Sequence, residues 1–300
     1  MKRVVAGIDI GGTNTVFAWV DEAGEVLWRN SISTTNFTTA KDLVVEVCKQ
    51  LKAQLIGEAI GIGVGAPSAN FYTGCIEHAP NLNWEKIIPL QQYFEEEMGL
   101  PTIVTNDANA AAIGEQVYGV VKGMNDFLMV TLGTGLGSGF VANGELIYGH
   151  DGFAGELGHS IIEPNGRACG CGRKGCLETY VSATGMQKTA LEMSGEKHSS
   201  KEVAEAAKQG KQWALRAFDF TAQRLGFALA NSVAITRPEA IVLFGGLAQA
   251  GDLLFVPTKK YMEENLLRNS QNKIPILASG LPQSDAPVLG ASALVWKSQK

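Results

Sequence analysis

The sequence predicts an α/β protein with two lobes of related layout and a cleft between them. Three strands joined by short turns open the chain, and helices and strands then alternate up to about residue 118, a pattern typical of α/β folds. The same plan begins again at residue 126. A chain of 300 residues is also longer than most single hydrophobic cores, so two lobes are the simplest expectation.

The opening strands are expected where Val, Ile, Phe and Trp cluster around the turn-forming sequences GGT and DEAG. Leucines and valines at helical spacing predict the first helix. In chain order, the first half is expected to contain strands at 4–10, 15–20 and 25–31, a helix at 39–55, a strand at 59–65, a helix at 87–98, a strand at 101–105 and a helix at 108–118.

The second half is expected to repeat this plan around the glycine-rich sequence TLGTGLGSG. Strands are predicted at 126–132, 139–143, 145–148, 240–244 and 274–278. Helices are predicted at 180–193, 200–210, 212–236, 253–267 and 287–296. We assign residues 1–118 and the C-terminal helix, 287–300, to a small lobe, and residues 119–286, with the loop 159–176, to a large lobe.

Composition and charge exclude several kinds of partner. With 45% hydrophobic and 18% charged residues and a net charge of −5, the chain gives no reason to expect nucleic acid or an anionic membrane. No apolar run reaches the length that spans a bilayer, and Asp9 interrupts the N-terminal apolar patch too early for a signal peptide. Five cysteines, an odd number with three clustered, fit a reducing compartment. We therefore expect a cytoplasmic protein.

A cysteine cluster is the most specific local feature of the chain. It lies in GELGHSIIEPNGRACGCGRKGCLE, at 155–178, and its metal-ligand candidates are His159, Cys169, Cys171 and Cys176. Three thiolates and one imidazole are the ligand set of a closed tetrahedral zinc site. The alternative is that three small buried thiols share a loop by chance. The polar, Gly-rich loop and its flanking acids, Glu156 and Glu178, favour structural Zn²⁺.

Two glycine-rich turns occupy equivalent places in the two halves. A lone Gly-Gly turn is most simply a hairpin turn, but two in matching positions predict a phosphate chain held from both sides by backbone N–H groups. Asp9 precedes the first turn and can hold Mg²⁺ through water. A third glycine pair ends a buried strand, where bare backbone suits adenine or ribose. The candidate residues are Asp9, Gly11, Gly12, Thr13, Asn14, Thr134, Gly135, Gly245 and Gly246.

Asn106 and Asp107 end one predicted strand and begin a helix. Helix capping alone explains either residue type at this position. However, the carboxyl end of a strand in an α/β sheet is also where ligands bind. An aspartate there can accept the proton of a hydroxyl group as its oxygen attacks a phosphorus atom. Both interpretations stay open for Asn106 and Asp107.

Five segments together carry a family resemblance: DIGGTN, TNDANAAAIGE, GTGLGSG, GELGH and CGCGRKGCLE. Over the range Ile8 to Gly246, the sequence resembles the ROK family of bacterial sugar kinases. This family belongs to the actin/Hsp70/sugar-kinase (ribonuclease H-like) fold. Within this family, the chain looks most similar to the zinc-containing bacterial glucokinases, and the cysteine segment is the most specific part of the match. The resemblance implies transfer of a phosphoryl group from Mg-ATP to the 6-hydroxyl of glucose, with Asp107 as general base. It also implies a homodimer and a role in glycolysis.

The resemblance implies a sugar pocket as well, formed by Gly65, Asn83, Asn106, Asp107, Glu156, His159 and Glu178. Carboxylates suit vicinal hydroxyl groups because each accepts two hydrogen bonds, and zinc would fix the backbone of the acids beside the cysteines. Whether Asn81 or Asn83 contacts the sugar stays open. Family members often have Gly-x-Pro-Gly where this chain has Gly-Ala-Pro-Ser, so the turn at Ser68 is expected to differ slightly.

Other functions within the same fold are the alternatives. The substrate of a related kinase would be an N-acetylhexosamine (N-acetylglucosamine or N-acetylmannosamine) or fructose. Some relatives of these kinases are repressors with an N-terminal helix-turn-helix, and a first strand at Val4 is expected to leave no room for one. A sugar-sensing regulator without catalysis would lack the base, whereas Asp107 is present. The expected partners are therefore a hexose and ATP, without nucleic acid or membrane.

Overall fold

The structure, a computed structural model, describes residues 1–79 and 82–299. Contacts divide the chain into two compact units. The first contains Met1–Gly123, Leu146–Ala154 and Gly280–Lys300, and the second contains Met124–Glu145 and Gly155–Ser279. The lobes expected from the sequence, with boundaries at 118 and 287, stay a prediction. The mixed α/β class with two sheets is confirmed.

The first unit is built around a five-stranded sheet with the order β3-β2-β1-β4-β7. Its elements up to residue 118 are β1 (Arg3–Ile10), β2 (Asn14–Asp21), β3 (Val26–Ser33), α1 (Ala40–Ala53), β4 (Glu58–Gly65), β5 (Ile76–Glu77), β6 (Ile87–Ile88), α2 (Leu90–Met98), β7 (Thr102–Thr105) and α3 (Asp107–Tyr118). β1 pairs with β2 antiparallel and with β4 in parallel, and β4 pairs with β7 in parallel. The carboxyl ends of β1, β4 and β7 therefore share one edge of this sheet.

One predicted helix begins later than its periodicity indicates. The helix predicted at 87–98 starts only at Leu90, while Ile87 and Ile88 form β6 and pair with β5. Pro89 explains the difference, because the residue before a proline is pushed towards extended backbone. A spacing of apolar residues does not reveal this local steric effect, so the prediction for 87–89 was wrong.

The second half of the chain repeats the strand order of the first. Its elements are β8 (Phe127–Leu132), β9 (Leu136–Ala142), β10 (Glu145–Leu146), α4 (Ala183–Ser194), α5 (Ser200–Lys208), α6 (Gln212–Thr236), β11 (Ala240–Phe244), α7 (Asp252–Asn265) and β12 (Ile276–Ala278). The sheet order is β10-β9-β8-β11-β12. β8 pairs with β9 antiparallel and with β11 in parallel, as β1 pairs with β2 and β4. The repeated plan is thus confirmed at the level of strand order.

The second glycine-rich segment forms less of a loop than predicted. β9 begins at Leu136 rather than at Gly139, and Gly137 and Ser138 pair with Thr131 and Val130 of β8. The glycines favour a turn in the sequence-based prediction, but a glycine backbone can also form the hydrogen bonds of a strand, as Gly137 and Gly139 do here. The turn between β8 and β9 is therefore limited to residues 133–135.

The last helix, α8 (Ala286–Ser298), packs on the first sheet at very short range. A Cβ atom added to Gly63 of β4 would lie 1.8 Å from the carbonyl oxygen of Ala291. Only glycine permits this approach of helix and strand backbones. Within the described ranges 1–79 and 82–299, no helix is both long and apolar enough to cross a membrane.

Candidate functional site

The sheet of the first unit brings two acidic residues to one edge. Asp9 on β1 is paired with Gly65 on β4, and Gly65 is paired with Thr105 at the end of β7. Asp107 follows as the first residue of α3. A Cβ atom on Gly65 would lie 3.6 Å from Asp107 Cα and 3.7 Å from Asp9 Oδ1. Gly65 therefore lies between the two acids and leaves space beside both.

The two carboxyl groups are electrostatically strained. Burial, and then repulsion from Asp107, raise the pKa of Asp9 from 3.8 to about 7. Desolvation also raises the pKa of Asp107, although its side chain remains accessible to solvent. Like charges close together favour proton uptake or a bound cation. This edge can therefore hold a divalent cation at Asp9 and accept a proton at Asp107.

Asn106 directly follows β7 and caps helix α3. Its side-chain oxygen accepts a hydrogen bond of 2.9 Å from the Ala108 amide, and Asp107 Oδ1 accepts one of 2.8 Å from the same amide. The capping interpretation therefore holds for Asn106. It is compatible with ligand binding, because capping fixes both side chains at the sheet edge.

The first glycine turn connects β1 to β2. The Gly11 amide donates to the Asn14 carbonyl oxygen at 2.9 Å, so this N–H closes the turn. Gly12 and Thr13 form the tip. The Thr13 carbonyl oxygen accepts a hydrogen bond of 2.8 Å from the Thr34 amide. This hydrogen bond holds the tip of the turn in place at the carboxyl end of β1.

The second glycine turn lies at the equivalent place between β8 and β9. The Gly133 amide donates to the Gly135 carbonyl oxygen at 3.1 Å, and Thr184 Oγ1 donates to the Thr134 carbonyl oxygen at 2.6 Å. The pair 245–246 follows β11, which lies beside β8. The structure therefore brings these two predicted nucleotide segments to the same edge of the second sheet.

The predicted metal ligands lie together in the second unit. Their ligand atoms all lie within 4.8 Å of one another: His159, Cys169, Cys171 and Cys176. The Cys171 and Cys176 sulfurs are 3.7 Å apart, and Cys169 Sγ lies 3.7 Å from His159 Nδ1. Tetrahedral zinc, with Zn–S about 2.3 Å and Zn–N about 2.0 Å, requires separations of roughly 3.8 and 3.6 Å. The ligand set therefore fits zinc in both chemistry and spacing.

The three thiols differ in acidity when only protein groups act on them. Burial raises the pKa of Cys169 to about 12 and also raises the pKa of Cys176. A hydrogen bond from Arg173 lowers the pKa of Cys171 to about 6. Zinc binds thiolates, so binding must release protons from the two buried thiols.

The two acids beside the cysteines lie at two short 3-10 helices, Leu157–His159 and Leu177–Thr179. Glu156 precedes the first, and Glu178 lies within the second. The Leu177 amide donates to the Ser160 carbonyl oxygen at 2.9 Å, which ties the two turns together. The pair of acids therefore sits on a common framework next to the metal ligands.

Glu178 is in direct contact with that ligand set. The Cys169 thiol donates to Glu178 Oε1 at 3.1 Å, and His159 Nδ1 lies 3.7 Å from the same oxygen. Nδ1 is thus the imidazole nitrogen that faces the cysteines. If it binds the metal, Nε2 is the nitrogen that could meet a ligand.

Ser138 is a supporting residue that the sequence did not single out. Its hydroxyl donates to the Gly155 carbonyl oxygen and accepts a hydrogen bond of 3.1 Å from the Leu157 amide. These bonds hold the peptide groups on either side of Glu156. The glycine-rich sequence around Ser138 predicts a loop, whereas Ser138 belongs to β9. Its supporting role therefore could not be recognised from the sequence.

The turn that departs from the family's pattern keeps the backbone shape of a glycine turn. The Ala69 amide donates to the Ala66 carbonyl oxygen at 3.3 Å, and Ser68 has φ of 52°. A turn with proline at its second position and positive φ at its third is favoured by glycine there. Ser68 therefore adopts this conformation at a steric cost, and the expected difference from the family's turn stays a prediction.

Of the two asparagines considered for the sugar, Asn83 is exposed and Asn81 lies outside the described residues. Nearby Trp84 donates its Nε1 hydrogen to the Phe37 carbonyl oxygen at 3.1 Å and packs on the core of the first unit. Trp84 is therefore a packing residue.

Fold and sites together define a class: α/β proteins with two five-stranded sheets, an acidic strand edge and a cysteine-rich loop that could hold a metal ion. The model of the "ROK family" matches residues 5–298. A glucokinase of Halalkalibacterium halodurans is 38% identical over 99% of this chain and 96% of its own length. The xylose repressor of Bacillus spizizenii is 28% identical over 96% of this chain and 76% of its own length.

Among solved structures, a ROK family glucokinase from Streptomyces griseus, in complex with glucose and AMPPNP, is similar with a TM-score of 0.82. It is 32% identical, and the match covers 97% of this chain and 98% of that one. The chain belongs to the ROK family.

Proposed function

We propose that this protein is an ATP-dependent kinase that phosphorylates the 6-hydroxyl group of glucose. The observation that carries the proposal is the strand edge of the first unit, where Asp9 and Asp107 flank Gly65. Similarity to glucokinases over nearly the whole chain supports the same activity. A sugar sensor would need no acid whose pKa is raised towards neutrality at a strand end.

In this proposal Asp107 is the general base. It accepts the proton of the sugar hydroxyl as that oxygen attacks the γ-phosphorus and the bond to the bridging oxygen of ATP breaks. Asp9 would hold Mg²⁺ through water; the cation would neutralise phosphate charge and reduce the repulsion between Asp9 and Asp107. The glycine turns bind the phosphates and the nucleotide: Gly11, Gly12, Thr13, Asn14, Thr134, Gly135, Gly245 and Gly246.

The sugar hydroxyls are proposed to bind Gly65, Asn83, Asn106, Asp107, Glu156, His159 and Glu178. Glu156 and Glu178 each accept two hydrogen bonds, and His159 Nε2 donates one. The four metal ligands would hold Zn²⁺, which supplies rigidity to the loop rather than chemistry. The contact of Glu178 with Cys169 and His159 supports this positioning role.

The substrate is tested with an ATP-coupled assay over glucose, mannose, fructose, N-acetylglucosamine and N-acetylmannosamine, compared by kcat/KM. Glucose should lead, because carboxylates that a bound sugar shields from water reject a sugar that leaves them without hydroxyl partners. If an N-acetylhexosamine led by more than about tenfold, ~1.4 kcal/mol in transition-state binding, the sugar would be wrong while the kinase stands. If the protein phosphorylated none of these sugars with Mg-ATP, the proposed kinase activity would itself be wrong.

Family membership and composition support further proposals about the compartment, the oligomeric state, the required cation and the metabolic role. We propose that the enzyme is a cytoplasmic homodimer that requires Mg²⁺ and serves glycolysis. The odd, clustered cysteines fit a reducing compartment. Sedimentation at micromolar concentration tests the dimer, and activity after removal and return of Mg²⁺ tests the cation.

A further inference from the structure

Arg167 has the densest set of contacts in the cysteine loop, yet it lies outside the metal ligands and the proposed sugar contacts. Its side chain is only 13% exposed. The guanidinium donates to the Thr179 carbonyl oxygen at 2.9 Å, to the Gly185 carbonyl oxygen at 3.3 Å and to Thr189 Oγ1 at 3.0 Å. It also pairs with Glu192. One planar group thus joins the loop to the 177–179 turn and to helix α4.

Two aromatic rings hold the guanidinium in this orientation. The carbon Cζ of Arg167 lies 4.7 Å from the centre of the Tyr180 ring and 5.7 Å from that of Phe220 on α6. The Tyr180 hydroxyl also accepts a hydrogen bond of 2.9 Å from the Arg167 amide. A second guanidinium, that of Arg224, has its Cζ 3.3 Å from the Phe220 ring centre. Cation–π contacts of this kind gain strength when the groups are desolvated.

The position of these bonds along the chain gives them a function. Glu178 lies two residues after the metal ligand Cys176 and one residue before Thr179, whose carbonyl oxygen Arg167 binds. One side of Glu178 would thus be fixed by the metal and the other is fixed by Arg167. A carboxylate that must meet sugar hydroxyls needs both sides of its backbone held.

We propose that Arg167 is a positioning residue, which orients Glu178 towards the sugar independently of the metal. This inference rests on the proposed function for its kinetic part only. Lysine cannot replace arginine fully, because its single ammonium group cannot reach three acceptors in a plane or stack on the rings.

The test compares Arg167→Met and Arg167→Lys with two controls, Glu192→Gln and Arg216→Lys. Glu192→Gln removes only the more exposed ion pair of Arg167, and Arg216 is an exposed arginine on α6. Arg167→Met should raise the KM for glucose at least tenfold with the KM for ATP within twofold, and Arg167→Lys should fall between. Both controls should resemble the wild type. Zinc content should stay at that of the wild type in every variant.

A second readout does not depend on activity. Arg173 and Lys174 are exposed in the loop, so brief trypsin treatment followed by mass spectrometry measures how often the loop opens. Cleavage after these residues should be at least tenfold faster in Arg167→Met than in the wild type while zinc remains bound. Equal cleavage, an unchanged KM for glucose, or loss of zinc from Arg167→Met would each overturn the inference. A wild type without sugar turnover would instead defeat the proposed function, and the cleavage result would still decide the role of Arg167.

Discussion

The carboxylates of Asp9 and Asp107 at the strand edge are expected to destabilise the folded protein. The variant Asp9→Asn measures the effect of Asp9. An acid whose pKa is raised from 3.8 to about 7 in the folded protein binds more protons folded than unfolded between these pH values. Stability therefore falls as pH rises through this range, and the full penalty is present above about pH 7. A rise of this size corresponds to ~4 kcal/mol. Because Asp9 is only partly buried by solvent accessibility, we expect about 2 kcal/mol.

Asp9→Asn should therefore be more stable than the wild type at pH 8, without Mg²⁺ or nucleotide, and gain much less at pH 5. Urea unfolding followed by tryptophan fluorescence is the appropriate assay. It reports mainly on the first unit, which contains all tryptophans except Trp213. The same variant should lose most kinase activity, because it cannot hold the cation. A variant less stable than the wild type at pH 8 would refute the reasoning.

Asp21 provides a matched control on the neighbouring strand β2. Burial alone would raise its pKa, but hydrogen bonds from Lys2 and the Glu25 amide lower it. Lys2 Nζ lies 2.7 Å from its carboxylate. Its charge contributes stability that is lost as the pH falls through the folded pKa, so Asp21→Asn should destabilise the protein at pH 8. Opposite signs for these two aspartates on adjacent strands would isolate the electrostatic effect.

Three further predictions follow from other contacts. Cys171→Ser should lose zinc, measured by metal analysis, and lose activity with it, since the loop that carries Glu178 loses a ligand; full metal content with all three cysteines replaced would end the zinc assignment. Ser68→Gly should raise stability in urea by about 1 kcal/mol by relieving the positive φ, and a loss of stability would show that the serine side chain has a supporting role. Gly63→Ala should lower the Tm by several degrees, because its Cβ would overlap the Ala291 carbonyl oxygen; an unchanged Tm would mean that α8 can move away.

The sequence predicted those parts of the fold and site whose signals are local. The repetition of one plan in the two halves was predicted from two similar runs of strands and turns, and α6 was predicted at its observed bounds. Asp107 could be placed at a strand end because the strand and the following helix were both recognisable. The metal ligands were found because thiols and an imidazole cluster within one short segment.

What the sequence did not reveal depends on distant partners. The sequence offers no reason to distinguish Arg167 from other loop residues, because the aromatic rings that it contacts belong to Tyr180 and to Phe220 on α6. Ser138 needed the pairing of β9 with β8 to become a support for Glu156. The pKa of Asp9 depends on its burial and on Asp107, which is almost a hundred residues away in the chain. Each of these features arises from tertiary packing, which periodicity and spacing do not encode.

The most direct test of the central claim is the rate of glucose 6-phosphate formation by the wild type and by Asp107→Asn with Mg-ATP. Asparagine keeps the size of the side chain and its bond to the Ala108 amide, but it cannot accept the hydroxyl proton. We predict a fall in kcat of at least about a hundredfold, with glucose binding, measured by calorimetry, retained within about tenfold. Turnover close to that of the wild type in Asp107→Asn would contradict the assignment of Asp107 as the base.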